Sequence, residues 1–155
     1  MEERTSELEF VRKQLQVILD NAPIAFSMRS VDNRYLLTNH RWEEFMGVSS
    51  EDALGKTPHD LFPPDLAKEL TEALARIWEK KAGILEEVPL RVQGRNYVFM
   101  RASFPMYDLE GNPYAAIGLV TDITERKALQ RMHGHISVES QPGRGATFTM
   151  EIPIQ

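Results

Sequence analysis

The spacing of apolar residues changes twice along this chain, and this change restricts the fold more than any other feature of the sequence. Apolar side chains recur with a period of two over residues 24–39 and again over residues 84–124, which is typical of strands. The stretch between them is different, because residues 64–81 place their apolar side chains on one face of a helix. Two strands, a run of helices and three further strands predict an α+β domain, in which helices cover one face of an antiparallel sheet.

The composition excludes several classes of site and partner. The chain has 155 residues, no cysteine and a net charge of −5. Without cysteine it can form no disulfide, no thiolate-ligated zinc or iron–sulfur centre and no covalent cysteinyl flavin. The negative charge argues against nucleic acid as the main partner.

The sequence also predicts that the chain does not insert into a membrane. Its longest uncharged stretch, residues 112–121, is about half as long as the ~20 apolar residues that a transmembrane helix requires. The first residues are acidic and polar, unlike a secretory signal peptide. We therefore expect a cytoplasmic protein.

Residues 1–21 predict an amphipathic N-terminal helix. Leu8, Val11, Leu15 and Ile18 are separated by three, four and three residues, the spacing of a coiled-coil seam. Two heptads are short, so the pattern fits either the seam of a homodimer or a face packed on the rest of the same chain. We expect a homodimer, because these side chains would otherwise present an apolar stripe to water.

Seven short motifs occur together in an order and at spacings that resemble one known family. They are Asn21-Ala22-Pro23-Ile24-Ala25, Asp32-Asn33-Arg34-Tyr35, Asn39 followed by Trp42, Glu43, Phe45 and Gly47, Glu51-Asp52-Ala53-Leu54-Gly55-Lys56, Phe104-Pro105-Met106, Asp108-Leu109-Glu110-Gly111 and Asp122-Ile123-Thr124-Glu125-Arg126-Lys127. Over residues 13–128 the chain resembles the PAS domain. The resemblance implies a five-stranded antiparallel sheet cupped by helices over residues 22–124, used for sensing, dimerisation and signal relay without catalysis.

A second resemblance follows a linker helix predicted over residues 125–132. Residues 133–155 resemble the final β-hairpin of the ATP-binding domain of a histidine kinase, with Gly143, Gly145 and Phe148 in its Gly-x-Gly-x-x-Phe motif. An isolated hairpin leaves its apolar face uncovered. We therefore expect this remnant to dock on the sheet or on a partner subunit; the alternative is that it stays mobile.

The parts that make such a kinase catalytic are not found in the sequence. It has no phosphoacceptor histidine motif, no Asn-rich magnesium-binding helix and no Asp-x-Gly-x-Gly adenine loop. The resemblance therefore implies a non-catalytic sensory module of a bacterial two-component sensor histidine kinase, with a kinase or a response regulator as partner. Two alternatives are a kinase fragment with residual nucleotide binding and a purely structural dimerisation module.

The predicted sheet and helices are expected to enclose an apolar cavity for a small ligand. The candidate lining residues are Phe26, Met28, Leu37, Asn39, Trp42, Phe45, Met46, Leu61, Leu66, Leu70, Ile77, Val88, Leu90, Phe99 and Val120. Thr38, Arg101 and Ser103 are further polar groups that could orient a ligand. The alternative is a filled core that binds nothing.

Asp122, Ile123 and Thr124 are the candidate signal-relay residues. In the family, the acidic residue and the hydroxyl of this motif anchor the end of the sheet to the outgoing helix. Thr124 is also a candidate N-cap of that helix. Helix capping without a signalling role is the alternative, and the two roles are compatible.

We predict no resident cofactor or metal. Haem-binding members of the family take their iron ligand from the long central helix, whereas residues 64–81 contain no histidine. A non-covalent flavin needs no cysteine and stays open. His133 and His135 would share one face of a strand, but no nearby residue completes a metal site.

Overall fold

The structure, a computed structural model, describes the backbone of residues 2–140 and the side chains of residues 5–132. The elements in this part of the chain are α1 (Glu2–Asn21), β1 (Ala25–Ser30), β2 (Tyr35–Thr38), α2 (His40–Met46), α3 (Ser50–Ala53), α4 (Pro58–Leu61), α5 (Pro64–Lys80), β3 (Ile84–Val92), β4 (Arg95–Tyr107), β5 (Pro113–Asp122) and α6 (Thr124–Ser140). The chain separates into two compact units between Thr121 and Asp122.

Five antiparallel strands of the first unit form one sheet in the order β2-β1-β5-β4-β3. Strands from the two ends of this unit, β1 and β5, are therefore neighbours at the centre of the sheet, and Ser27 pairs with Gly118. β3 and β4 pair from Ile84 opposite Ser103 to Val92 opposite Arg95. The predicted α+β architecture with a five-stranded antiparallel sheet is confirmed.

Short turns connect the three long strands. Gln93 and Gly94 link β3 to β4 with φ angles of 51° and 76°, the left-handed conformation of a tight hairpin turn. Between β4 and β5, the carboxylate of Asp108 accepts hydrogen bonds from the amides of Glu110 and Asn112, both at 2.9 Å. These turns hold the strands that form one side of the core.

The helices that pack on the sheet begin at residues suited to capping. The Asn39 side chain accepts a hydrogen bond from the Trp42 amide at the start of α2. Thr57 and Asp60 form a reciprocal capping box at the start of α4. α5 is amphipathic, as its sequence predicts, and buries Leu66 and Leu74 among others.

Aromatic side chains fill the core beneath α2. The ring centroids of Tyr35 and Trp42 lie 5.1 Å apart, and those of Phe45 and Phe99 lie 5.3 Å apart. Tyr97 stacks on Phe99 at 5.0 Å. Tilted, edge-to-face and stacked pairs at these distances stabilise the core beyond the burial of their area.

A carboxylate joins α2 to the start of α3. Oε2 of Glu43 accepts a hydrogen bond of 2.6 Å from the amide of Ser50. This hydrogen bond lowers the pKa of Glu43 below its ordinary value. The charged form of Glu43 is therefore the one that stabilises the fold.

We expect Glu43→Gln to reduce the loss in the free energy of unfolding that occurs as the pH falls into the acidic range. Because the folded-state pKa is the lower one, this stabilisation is complete above the unfolded-state value of 4.5 and is lost as the pH falls through the folded-state pKa. The variant should be less stable than wild type by about 1 kcal/mol at pH 7 and equal to it at low pH. Urea unfolding from pH 7 to pH 2.5 measures this, with the exposed neighbour Glu44→Gln as control. A constant offset at every pH would contradict the assignment.

The second unit contains α6, which differs from the prediction for the end of the chain. The sequence predicts a linker helix over 125–132 and the first strand of a hairpin after residue 133, but α6 continues to Ser140. The strand predicted over residues 133–140 is therefore wrong, and the remnant hairpin is not supported; residues 141–155 lie outside the described residues. A helix satisfies its backbone hydrogen bonds locally, whereas a hairpin needs a second layer to cover it.

Candidate functional site

A cavity of about 70 Å³ lies inside the first unit, between the helices and the inner face of the sheet. Its walls come from β1, β3, β4 and β5, from α2 and α5, and from Tyr35 of β2. The lining residues are Ala25, Ser27, Arg29, Tyr35, Trp42, Phe45, Met46, Leu70, Ala73, Leu74, Ile77, Leu90, Val92, Phe99, Arg101, Ser103, Ala116, Ile117, Gly118 and Val120. Space of this size accommodates several waters or one small molecule.

The structure places many of the candidate lining residues around the cavity and others away from it. Those that line it are Trp42, Phe45, Met46, Leu70, Ile77, Leu90, Phe99 and Val120, together with the polar candidates Arg101 and Ser103. Those that do not are Phe26, Met28, Leu37, Thr38, Asn39, Leu61, Leu66 and Val88. On β1 the reason is strand alternation: Ala25, Ser27 and Arg29 face the cavity, so the residues between them face the other side of the sheet.

Small residues, which are not among the candidate lining residues, create the space. Ala116 and Gly118 of β5 and Ala25 of β1 line the cavity. A Cβ atom at Gly118 would lie 3.4 Å from Oγ of Ser27, an ordinary contact, so the backbone there accepts a side chain. The alternation of Ala116, Gly118 and Val120 is the sequence signal that marks this face of β5.

Arg101 is a cavity residue whose charge is fully paired. It is buried, and its Nη1 and Nη2 donate to the two carboxylate oxygens of Glu69 at 3.0 and 2.8 Å. Nη2 also lies 3.2 Å from Oε2 of Glu86, which binds Arg76 at 3.3 Å. Burial disfavours the charged form, but Glu69 and Glu86 outweigh it and raise the pKa of Arg101.

Arg29 is a second cavity arginine, and its partners are neutral. Its Nη1 donates to Oδ1 of Asn33 at 2.6 Å and to the carbonyl of Leu70 at 3.1 Å. Its guanidinium carbon lies 5.7 Å from the ring centroid of Tyr35. Burial lowers the pKa of Arg29, and it raises the pKa of Tyr35 to about 12. Tyr35 is therefore uncharged at neutral pH.

Asn39, a ligand-orienting candidate in the sequence analysis, is instead a fully buried structural junction. Its Oδ1 accepts from the amides of Phe26 and Trp42 at 2.9 and 3.0 Å. Its Nδ2 donates to the carbonyls of Leu19 and Ile24 at 2.6 and 2.9 Å. The side chain thus uses its hydrogen-bonding groups to link α1, β1 and α2.

The apolar seam of α1 is exposed in the single chain. The exposed fractions are 66% for Leu8, 60% for Val11, 48% for Leu15 and 66% for Ile18. The neighbouring Leu19 is partly buried, so α1 turns a different side toward its own domain. Packing on the same chain therefore does not cover the seam.

The relay candidates form the junction between β5 and α6. Oδ1 of Asp122 accepts hydrogen bonds from the amide and the hydroxyl of Thr124, at 2.9 and 2.5 Å. The Lys127 amide donates to the carbonyl of Ile123, which begins the helical ladder, and Ile123 itself is buried. Asp122 therefore accepts two hydrogen bonds at the start of α6, and the N-cap role of Thr124 stays a prediction.

The described residues lack two features that would indicate other kinds of site. No group of three or more metal-binding side chains comes together within residues 5–132. In the same part of the chain, no helix combines the length and the apolar character needed to cross a bilayer.

Comparison with known proteins gives a consistent match. The chain is 31% identical over 129 residues to the virulence sensor protein BvgS of Bordetella pertussis, which covers 81% of this chain and 10% of that protein. It is 28% identical over 117 residues to the aerobic respiration control sensor protein ArcB of Escherichia coli, covering 75% of this chain and 15% of that protein. The chain therefore corresponds to a small part of each relative.

A solved structure and a family model also match most of this chain. The solved PAS domain of Bordetella pertussis BvgS superposes with a TM-score of 0.64 at 29% identity, covering 86% of this chain and 98% of that one. The model of the PAS fold matches residues 19–128, which include the sheet, its helices and the cavity. The protein therefore belongs to the PAS family.

Proposed function

We propose that this chain is a non-catalytic sensory and signal-relay module of a sensor-kinase-type protein, which detects a small molecule in its internal cavity. The observation that carries the proposal is the cavity itself, which combines an apolar wall with the polar side chains of Arg29, Ser27 and Ser103. A ligand site has this composition, since apolar contacts supply affinity and a few polar groups fix orientation. The relatives BvgS and ArcB are both named as sensor proteins, which supports a sensory role.

The relay part of the proposal follows from the course of β5. This strand lines the cavity with Ala116, Gly118 and Val120 and ends at Asp122. The carboxylate of Asp122 accepts a hydrogen bond from the amide of Thr124, the first residue of α6. A ligand that displaces β5 would therefore act directly on the start of α6. A kinase or response regulator in the cytoplasm is the output partner in this proposal.

The N-terminal helix supplies the dimer in the proposal. Asn39 connects the end of α1 to β1 and to α2, whose Trp42 and Phe45 line the cavity. A change in the cavity wall would thus reach both α1 and α6. A purely structural dimerisation module would share the seam on α1 but would show no response to a cavity ligand.

Filling the cavity tests the proposal, and Gly118→Leu is the variant for it. Wild-type protein is expected to carry a small molecule in native mass spectrometry, or to respond to one in a thermal-shift screen, with altered amide exchange over residues 122–132. Gly118→Leu should lose both effects because its side chain occupies the site. Thr121→Leu, on the same strand but outside the cavity lining, is the control. A wild-type protein without bound molecules or responses would instead favour the structural module.

A further inference from the structure

The two arginines of the cavity differ in how their charges are balanced. Arg101 forms a two-point ion pair with Glu69 and a second contact with Glu86. Arg29, by contrast, is held by the side-chain oxygen of Asn33 and the carbonyl of Leu70. Among residues 5–132, no carboxylate lies within salt-bridge distance of its guanidinium.

The charged groups around Arg29 do not supply a substitute for that missing partner. Arg101 repels the guanidinium, while Glu69 attracts it from a distance but already binds Arg101 through both of its oxygens. Tyr35, which packs against Arg29, stays protonated at neutral pH because burial raises its pKa to about 12. Arg29 is partly buried, and a cation that loses hydration without gaining a counter-ion is unfavourable, so an anion in the cavity would be favoured there.

Arg29 also retains unused donors beside other polar groups. Both hydrogen bonds that it makes to described residues start from Nη1, leaving Nη2 and Nε without such a partner. Ser27 lies two residues away on the same face of β1. The hydroxyl of Ser103, a buried residue of the cavity wall, makes no hydrogen bond to any described residue. These groups form a set of donors that an oxygen-rich ligand group can use.

We propose that the cavity binds a small monocarboxylic acid, whose carboxylate pairs with Arg29 and whose apolar body packs among Trp42, Phe45 and Phe99. This inference rests on the proposed sensory function of the cavity and adds the chemical class of its ligand. Guanidinium and carboxylate match in geometry and can form paired, charge-assisted hydrogen bonds. Arg29 has no carboxylate partner and can balance the charge of one ligand carboxylate. A second carboxylate on the ligand would lie against the apolar wall, where burying its charge is unfavourable.

The dimensions of the cavity limit the body of the acid. A volume of about 70 Å³ excludes nucleotides, and the aromatic rings near α2 favour a compact apolar group. Benzoate is a suitable probe, since benzamide has nearly the same shape but no charge. Isovalerate and isovaleramide form a second pair that does not require room for a ring.

Calorimetric titration of the full chain with these four compounds tests the inference. Each acid that enters is expected to bind at least tenfold more tightly than its amide. Arg29→Gln should weaken acid binding at least tenfold and remove the preference over the amide. Arg95→Gln removes the same charge from an exposed site on β4 and should change the affinity by less than twofold.

The outcomes separate the ligand class from the sensory function. Equal binding of acid and amide, with no effect of Arg29→Gln, would overturn the carboxylate site while leaving a sensory cavity. Failure of both acids to bind wild type would also overturn it, and Gly118→Leu together with the thermal-shift screen would then decide whether the cavity senses another molecule. If Arg29→Gln does not unfold cooperatively, Arg29→Lys replaces it and should keep a preference for the acid at reduced affinity.

Discussion

Replacing Asn39 with alanine is expected to lower the free energy of unfolding by about 3–5 kcal/mol, since four backbone groups lose their partner at once. The amides of Phe26 and Trp42 are buried at this site, so water cannot fully replace the lost oxygen. The start of α2 also loses its cap. A domain with a total stability of 5–15 kcal/mol would lose a large share of it.

Urea unfolding at pH 7 measures this loss. Asn96→Ala is the matched control, because Asn96 is exposed and accepts a single side-chain hydrogen bond from Arg91; its effect should stay within about 0.5 kcal/mol. A loss below 1 kcal/mol for Asn39→Ala would show that the junction is not the main link between α1, β1 and α2. Increased amide exchange at Phe26 and Trp42, whose amides lose the Asn39 oxygen, would accompany the expected result.

The architecture could be predicted because strand periodicity is local. The stretches 84–92, 96–107 and 114–124 that alternate in the sequence are close to β3, β4 and β5 in the structure. Each of these strands covers the core with one face, so the pattern of apolar residues records the fold directly. The amphipathic pattern of α5 does the same for the helix that covers the sheet.

The cavity was harder to predict, because it depends on where side-chain volume is missing. Large apolar residues such as Phe26 and Met28 were natural candidates, yet they lie on the opposite face of β1 from the cavity. Gly118 and Ala116 define the space by being small, and their neighbours come from other strands and from α5. Only the assembled sheet brings these residues together.

The position of the Arg29 side chain could not be predicted either, because it depends on contacts with residues that are distant in the sequence. An arginine within a strand normally extends toward solvent. Here the side chain of Arg29 is held at the cavity by hydrogen bonds to the side chain of Asn33 and to the backbone carbonyl of Leu70 in α5. Those contacts join residues that are 4 and 41 positions apart. The local sequence around β1 contains no sign of the second contact, so the polar wall of the cavity had to come from the structure.

Val11→Glu combined with Leu15→Glu is expected to convert the proposed homodimer into monomers. Each side chain contributes about 1.5–3 kcal/mol when it is buried, and both substitutions occur in both subunits. The dissociation constant should therefore rise more than a thousandfold, which sedimentation velocity at micromolar concentration would detect as a complete loss of dimer. The cooperative unfolding of the first unit should persist, because the end of α1 stays attached through Asn39 and through the carboxylate of Asp20, which accepts from the His40 amide at 2.9 Å.

A second double variant on the same helix identifies which face forms the dimer. Phe10 and Val17 are each 61% exposed and lie one heptad apart on a different side of α1 from the seam. Phe10→Glu with Val17→Glu adds the same charge to the same helix, so general repulsion affects both variants alike, and this control should remain dimeric. If the control dissociates and the seam variant does not, the interface lies on the other side of α1. If both stay dimeric, the subunits meet through another element, and the exposed seam must serve a different contact.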